Sequence, residues 1–331
     1  MADKINVAIV GLGVGRSRAK FAAESETANL KVVCALEEEK AKETAEELGC
    51  EWSTSLEDVL ARDDIDAVGV FTPSGTHCEY AIQAIKAGKH AFTTKPMDIR
   101  VEQCDAAIQA AEEAGVILAV DFGNRYERFN HQVKAAIDTG MLGKVFLGDV
   151  RLKWHRKQSY YDGGFPEGWR SRLATEGGSI ANQGVHFVDL IYWFLGPVNE
   201  VFGRSATLRH QIETEDISIA HLTFQSGAWG LIETTTAQAP NLGTTVEISG
   251  TEGCIIWHNR DVTIKNADNE DVDLDEIDVP ACPENIIEDM AGAIRDGKTP
   301  LCPGTEGRKS VEIFTAVYKS SETGQPVVID Q

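Results

Sequence analysis

Four short segments hold the side chains best placed to do chemistry. Val7 to Arg18 reads V-A-I-V-G-L-G-V-G-R-S-R, an apolar strand running into Gly11, Gly13 and Gly15, with Val14 inside the loop and Arg16 just after it. A strand that ends in such a loop and opens a helix brings backbone N–H groups against a pyrophosphate. The spacing departs from G-x-G-x-x-G: the third glycine falls one place early and Arg16 stands where it is expected, so an ordinary tight strand-to-helix turn is the competing reading. Thr72-Pro73-Ser74-Gly75-Thr76-His77 and Thr94-Lys95-Pro96 each follow a short apolar strand. The carboxyl end of a parallel strand is where ligands bind in open α/β sheets. The fourth segment, Glu176 to Asp189, reads E-G-G-S-I-A-N-Q-G-V-H-F-V-D. On a helix its Asn182, His186 and Asp189 share one face by i, i+4 and i+3 spacing.

The elements that must position these residues change character along the chain. Over the first ~120 residues strands and helices alternate, which predicts a parallel sheet with helices on both faces, a doubly wound Rossmann arrangement. The expected strands are Asn6–Val10, Lys31–Ala35, Ala67–Phe71, His90–Thr93 and Ile117–Val120. The expected helices are Arg16–Ala23, Glu39–Leu48, Ser55–Ala61, His77–Ala87 and Val101–Ala114. Gly49, Gly88 and Gly115 follow three of these helices as C-terminal caps. A helix over Phe129–Thr139 then leads into Val145–Trp154. Alternating stretches follow at Val201–Leu208, Ser218–Phe224, Trp229–Thr236, Thr245–Ser249, Cys254–His258 and Val262–Asn266, with turns at Gln225–Gly227 and Gly250–Gly253. This predicts an α+β half with a large, mostly antiparallel sheet covered on one face. Ile180–Phe194 reads as one helix, and Val311–Ser321 as the last before Pro326–Ile329. The expected domains are residues 1–121, dinucleotide-binding, and residues 122–331, for substrate and oligomerisation, with the last helix a candidate to pack back on the first.

Composition narrows the function. The 331 residues suffice for two domains, and 42% hydrophobic content supports large cores. No run approaches the ~18 apolar residues of a membrane span, and the M-A-D-K-I-N start lacks the pattern of a signal peptide. Seven scattered cysteines without a C-x-x-C pair point to reduced thiols in the cytoplasm. A net charge of −21 argues against nucleic acid and anionic membranes as partners. The seven acidic residues of Asp268–Asp278 read as a solvated loop or edge, since the fixed ligand spacing of a calcium loop is missing and no metal is expected.

Taken in order, the T-P-x-x-x-H segment, the K-P step, the G-G-x-x-x-N-x-x-x-H segment, the G-T-E-G turn at Gly250–Gly253 and the A-x-x-x-S-x-x-T-G-x-P-V tail from Ala316 to Val327 carry a resemblance. The chain resembles the glucose-fructose oxidoreductase/inositol dehydrogenase (Gfo/Idh/MocA) family along nearly its whole length. Tyr160-Tyr161, Trp169-Arg170 and Asn182-Gln183-Gly184 are most similar to members acting on sugars or nucleotide-activated sugars. The resemblance implies an NAD(P)-dependent oxidoreductase that moves a hydride between a secondary alcohol of a sugar, nucleotide sugar or cyclitol and nicotinamide. Such chemistry needs a group to take the hydroxyl proton and one to stabilise the developing alkoxide. His186, whose ordinary pKa lies near working pH, is the candidate base. Lys95 is the candidate electrostatic partner, with Pro96 fixing the backbone beyond it, a position open to a cis bond. The cofactor-binding candidates are Gly11, Gly13, Val14, Gly15, Arg16, Glu37, Thr72, Pro73, Ser74, His77, Thr94 and Lys95. Asp189 is expected to be a structural acceptor.

Three positions depart from the family pattern. Asn182 stands where many members carry Asp, and an amide positions a substrate but does not act as a base. Thr94 stands where many have Glu before the K-P step. Ala35-Leu36 replaces the acidic residue that would hold the adenosine ribose, leaving Glu37 as a displaced ribose ligand. Arg16 and Arg18 could offer charge to a 2′-phosphate, but no Ser-Arg pair follows the second strand, so NAD is favoured and NADP stays open. The basic run Arg151-Leu152-Lys153-Trp154-His155-Arg156-Lys157 stands out in an acidic chain. On a strand Arg151, Lys153 and His155 share a face. Two readings remain: a sugar- or phosphate-binding wall with Arg156, Tyr160, Trp169 and Arg170 at the substrate, or a solvated or oligomer-forming sheet face. The leading function is a dehydrogenase; the alternatives are an NAD-retaining glycosidase of the same family and a non-catalytic NAD(P)-binding sensor. A one-sided antiparallel sheet predicts a homodimer or homotetramer through the second half.

Overall fold

The computed structural model describes residues 4–259 and 261–329, which divide into two compact units. One comprises Met1–Tyr126 with Pro283–Arg308, the other Glu127–Cys282 with Lys309–Gln331.

In the first unit the elements run β1 (Ile5–Val10), α1 (Gly15–Glu24), β2 (Ala28–Cys34), α2 (Glu38–Leu48), β3 (Glu51–Ser53), α3 (Leu56–Leu60), β4 (Ala67–Val70), α4 (His77–Lys86), β5 (His90–Thr94), α5 (Val101–Ala114) and β6 (Leu118–Asp121). The sheet order is β3-β2-β1-β4-β5-β6, parallel throughout. This is the doubly wound dinucleotide-binding order, in which the strand order reverses between β1 and β4 while the strands stay parallel. Strands such as β4, buried at all four residues, read as apolar runs because helices cover both faces. Gly49, Gly88 and Gly115 have φ of 69°, 75° and 66°, the left-handed conformation of helix C-terminal glycines. Ser55 caps α3 by accepting from the Asp58 N–H.

Two elements here were not anticipated from sequence. The strand β3 is only three residues long. The helix α10 (Ile286–Asp296) returns from far along the chain to this unit, with Ile286, Ile287, Met290 and Ala291 in the same core cluster as Val7, Ile9, Val33 and Phe71. Asn285 caps it, accepting from the Ile287 and Glu288 N–H groups. Its Glu288 carboxylate accepts from the Ser25 and Thr27 hydroxyls, both at 2.6 Å, which ties α10 to the α1–β2 connection.

The second unit contains α6 (Arg128–Asp138), β7 (Val145–Lys153), α7 (Gln158–Asp162), α8 (Ser179–Asn182), α9 (Val185–Leu195), β8 (Val198–Ala206), β9 (Ile217–Phe224), β10 (Trp229–Thr235), β11 (Gly243–Gly250), β12 (Gly253–His258), β13 (Asp261–Asn266), β14 (Asp271–Val272) and β15 (Val327–Val328). The helix α11 (Gly304–Thr323) opens in the first unit and runs into the second. The nine-stranded sheet has the order β14-β13-β12-β11-β7-β10-β9-β8-β15. Every neighbouring pair is antiparallel except β7–β10. The acidic stretch supplies the edge strand β14. One face, with Val150, Leu152, Leu222, Ile232, Val246, Ile248 and Trp257, is buried. The opposite face carries charged pairs (Arg151–Asp149, Lys153–Glu233) among exposed Phe202, Ile219, Trp229, Leu231 and Ile256.

The expectation of one continuous helix over Ile180–Phe194 is corrected: α8 ends at Asn182 and α9 starts at Val185. The Gly184 N–H reaches back five residues to the Ser179 carbonyl, at 2.7 Å, instead of four. This wider turn interrupts the regular α-helical repeat between Asn182 and His186. Gly184 is needed there, since a Cβ would lie 2.5 Å from the Thr234 methyl and 3.0 Å from Ile180.

Candidate active site

The first unit gathers its candidate residues at the carboxyl ends of β1, β4 and β5. Gly11 has φ +89°, and a Cβ on it would lie 2.5 Å from the Phe71 carbonyl oxygen at the end of β4. Only glycine lets the two strand ends approach this closely. Gly13 is exposed with open space where a Cβ would stand, and the buried Gly15 begins α1 against Phe71. Two glycines for close approach and one for helix packing fit the backbone cradle of a dinucleotide pyrophosphate. Val14 is exposed. Arg16 is turned to α2, paired with Glu47 and Glu43, and Arg18 pairs with the buried Asp121 at 2.6 Å. Glu37 precedes α2, half-buried, with Lys40 at 3.4 Å.

Beyond β4, the Thr72 and Thr76 hydroxyls lie 2.8 Å apart and Thr76 donates to the Pro73 carbonyl. Ser74 is buried. His77 is buried, its Nδ1 2.8 Å from the Pro96 carbonyl and its Nε2 2.7 Å from the Thr72 carbonyl. Both ring nitrogens are thus taken up within the unit, joining the loop after β4 to the loop after β5. Burial pushes the imidazole below its ordinary pKa; a neutral ring has one N–H and donates to one of these carbonyls at a time. Thr94 is buried as the last residue of β5, and Lys95 follows it, half-buried, with a cis Lys95–Pro96 peptide. The buried Asp98 accepts from the Ile99 and Arg100 N–H groups, closing the turn beyond Pro96.

The second unit brings its sequence-predicted residues together. Between Glu176 and Ile191 every residue is buried except Asn182 and His186. These are the two side chains that this stretch presents, while Asp189 is 1% exposed, as a structural acceptor should be. The Gln183 amide donates to Asn182 Oδ1 at 2.9 Å and to the Tyr160 hydroxyl at 3.0 Å. The Arg170 guanidinium stands 4.8 Å from the Tyr160 ring centroid and 4.3 Å from that of Trp169. Arg156 stands 5.3 Å from Tyr160 and 5.1 Å from Trp154. Arg156, Tyr160, Trp169, Arg170 and Asn182 therefore form one connected cluster. The strand β7 ends at Lys153, so His155 does not continue the Arg151–Lys153 face; it bridges Ala237 instead.

Three residues have positioning roles that the sequence did not show. Gln183, noted there only as part of the Asn182-Gln183-Gly184 segment, is one. Glu215 is buried; it accepts from the Ser179 hydroxyl at 2.6 Å, the Ile180 N–H at 2.8 Å and the Tyr318 hydroxyl at 3.2 Å, and so anchors the start of α8. Burial pushes its carboxyl up to about 7. The adjacent Asp216 accepts from the N–H groups of Leu208, Arg209 and His210 and from His210 Nδ1. His210 Nε2 in turn lies 3.0 Å from the Arg156 carbonyl. The two acids thus hold two parts of the cluster, one turn each. The E-D dipeptide was visible as sequence, but its direction was not.

The glycine cradle and the strand order define a dinucleotide-binding domain, and the family matches make it that of an oxidoreductase. Residues 5–122 match the oxidoreductase family with an NAD-binding Rossmann fold, and residues 130–256 match the GFO/IDH/MocA C-terminal domain. The chain belongs to the GFO/IDH/MocA family of oxidoreductases. It is 29% identical to scyllo-inositol 2-dehydrogenase (NAD(+)) of Bacillus subtilis over 100% of this chain and 98% of that protein. It is 30% identical to 1,5-anhydro-D-fructose reductase of Ensifer adhaerens over 84% of each. Among solved structures, the WlbA dehydrogenase from Bordetella pertussis, in complex with NADH and UDP-GlcNAcA, superposes with a TM-score of 0.89 at 31% identity, over 99% of this chain and 98% of that one.

Proposed function

We propose that this protein is an NAD-dependent dehydrogenase that moves a hydride between a carbinol carbon of a sugar or cyclitol and nicotinamide. The observation that carries the reading is the selective presentation of Asn182 and His186 from an otherwise buried stretch. Bound NAD supplies the hydride acceptor. Gly11, Gly13 and Gly15 hold its pyrophosphate at the start of α1, and Glu37 takes the adenosine ribose. His77 positions the loops that carry Thr72 and Lys95. In the oxidising direction His186 takes the hydroxyl proton on an imidazole nitrogen. The Lys95 ammonium stabilises the developing alkoxide. Asn182 orients the substrate by hydrogen bonds. NAD is favoured over NADP because Arg16 and Arg18 are both engaged by carboxylates.

The test is NADH formation across a panel of sugars and cyclitols by wild type and Lys95→Met. The variant is expected to lose about 100- to 10,000-fold in kcat/KM; wild-type rates in the variant would refute the role. The open face of the nine-stranded sheet, with Trp229 62% exposed, fits self-association with a second copy. Trp229→Asp should then lower the mass seen by sedimentation, and an unchanged mass would refute that surface. Among the described residues no helix is long and apolar enough to cross a membrane, and all seven cysteines are free thiols, which fits a cytoplasmic enzyme.

A further inference from the structure

The cluster around Tyr160 contains more positive charge than a neutral polyol needs. We propose that Arg156 and Arg170 form a subsite for an oxyanion carried by the substrate, so that the preferred substrate is an acidic sugar, bearing a carboxylate or a phosphate, and not a neutral cyclitol. The inference rests on the dehydrogenase reading and names its substrate class.

Four observations support it. Both guanidiniums pack on one ring, at 5.3 and 4.8 Å from the Tyr160 centroid, with Trp154 and Trp169 as outer partners. A guanidinium lying against an aromatic ring is held by its face while its N–H edge stays available, the geometry that suits bidentate recognition of carboxylate or phosphate. Among the described residues neither group is in an ion pair. Arg156 donates to the His155 carbonyl, whereas Arg151, Lys153, Arg16 and Arg18 are all matched to carboxylates. Two like charges held near one ring, in a protein of net charge −21, are left for an incoming anion to balance. The carboxylate that bears on Tyr160, Glu176, is buried and turned to the Gly177 N–H through Oε1. Finally, Gln183 links Tyr160 to Asn182. An anionic group at the arginines is thereby joined, through one hydrogen-bonded chain, to the side chain proposed to orient the reacting hydroxyl.

The test uses the NAD-loaded protein and reads binding as well as turnover. Tryptophan fluorescence is titrated with glucuronate, glucose 6-phosphate, UDP-glucuronate, glucose and myo-inositol, for wild type, Arg156→Gln and Arg170→Gln, with near-UV circular dichroism to check folding. At least one acidic probe is expected to bind tenfold or more tightly than glucose. Added salt should weaken that binding, and each variant should remove the preference. Glucuronate against glucose 6-phosphate tells a carboxylate subsite from a phosphate one. Equal affinity for acidic and neutral probes in wild type, or an acid preference that survives both substitutions, would overturn the proposal. NADH formation from neutral sugars without acid preference would do so while leaving the dehydrogenase reading intact. Acid-selective binding that both variants lose, without NADH formation, would keep the subsite and remove the dehydrogenase reading.

Discussion

Glu215→Gln isolates the electrostatics of the anchor beneath Asn182. The Glu215 carboxyl is buried and raised from 4.5 to about 7, with burial the largest cause and its hydrogen bonds to Ser179, Ile180 and Tyr318 opposing it. In the unfolded chain it titrates near the ordinary glutamate value. Between about pH 4.5 and 7 the folded protein therefore holds a proton that the unfolded chain has released, and stability falls as pH rises through this window. A shift of this size corresponds to about 3 kcal/mol, complete below the window and lost above it. Glutamine keeps an acceptor for the Ile180 N–H and Tyr318, and the Ser179 hydroxyl can turn to meet the new amide. It carries no charge to desolvate. The assay is urea unfolding of wild type and Glu215→Gln, followed from pH 4.5 to 8. The variant should gain about 3 kcal/mol on wild type across that range. Parallel curves would show that Glu215 does not titrate there and would refute the assignment.

Other perturbations address the two halves separately. Gly11→Ala places a methyl 2.5 Å from the Phe71 carbonyl at φ +89°. It should cost about 2 kcal/mol in stability and weaken NAD binding tenfold or more, measured by calorimetry. Glu37→Ala should raise the NAD dissociation constant about tenfold, the loss of a charged hydrogen bond; an unchanged constant would remove Glu37 from the ribose site. Gln183→Leu cuts the link between Tyr160 and Asn182 and should raise KM for the sugar about tenfold with kcat nearly kept. An equal fall in kcat would mean that Gln183 acts in the transition state.

The doubly wound sheet was legible because each buried strand is a short apolar run and Gly49, Gly88 and Gly115 stop the helices between them. The hairpins of the second unit were legible from alternation broken at Gln225–Gly227 and Gly250–Gly253. Helix α10 carries its own signals, Asn285 at the start and Gly297 after the end, but nothing local says that its apolar face completes the core of Val7, Ile9, Val33 and Phe71. The break before Val185 was hidden because Gly184 acts through Thr234, a contact made across the fold. The candidate residues Asn182, Arg156, Tyr160, Trp169 and Arg170 could be chosen by type. The role of Gln183 in linking Tyr160 to Asn182, and the anchors Glu215 and Asp216, could not, since a side chain's direction is set by tertiary packing. The pairing of the Arg16 guanidinium with Glu43 and Glu47 of α2 is likewise a tertiary contact that the sequence does not display.

Isotope transfer tests the central claim most directly. A substrate deuterated at the carbinol carbon, incubated with protein and NAD, should yield NADH carrying the deuterium at the nicotinamide ring, and Lys95→Met should slow that transfer about 100-fold or more. Deuterium lost to solvent, or substrate consumed with no net labelled NADH, would contradict the dehydrogenase account.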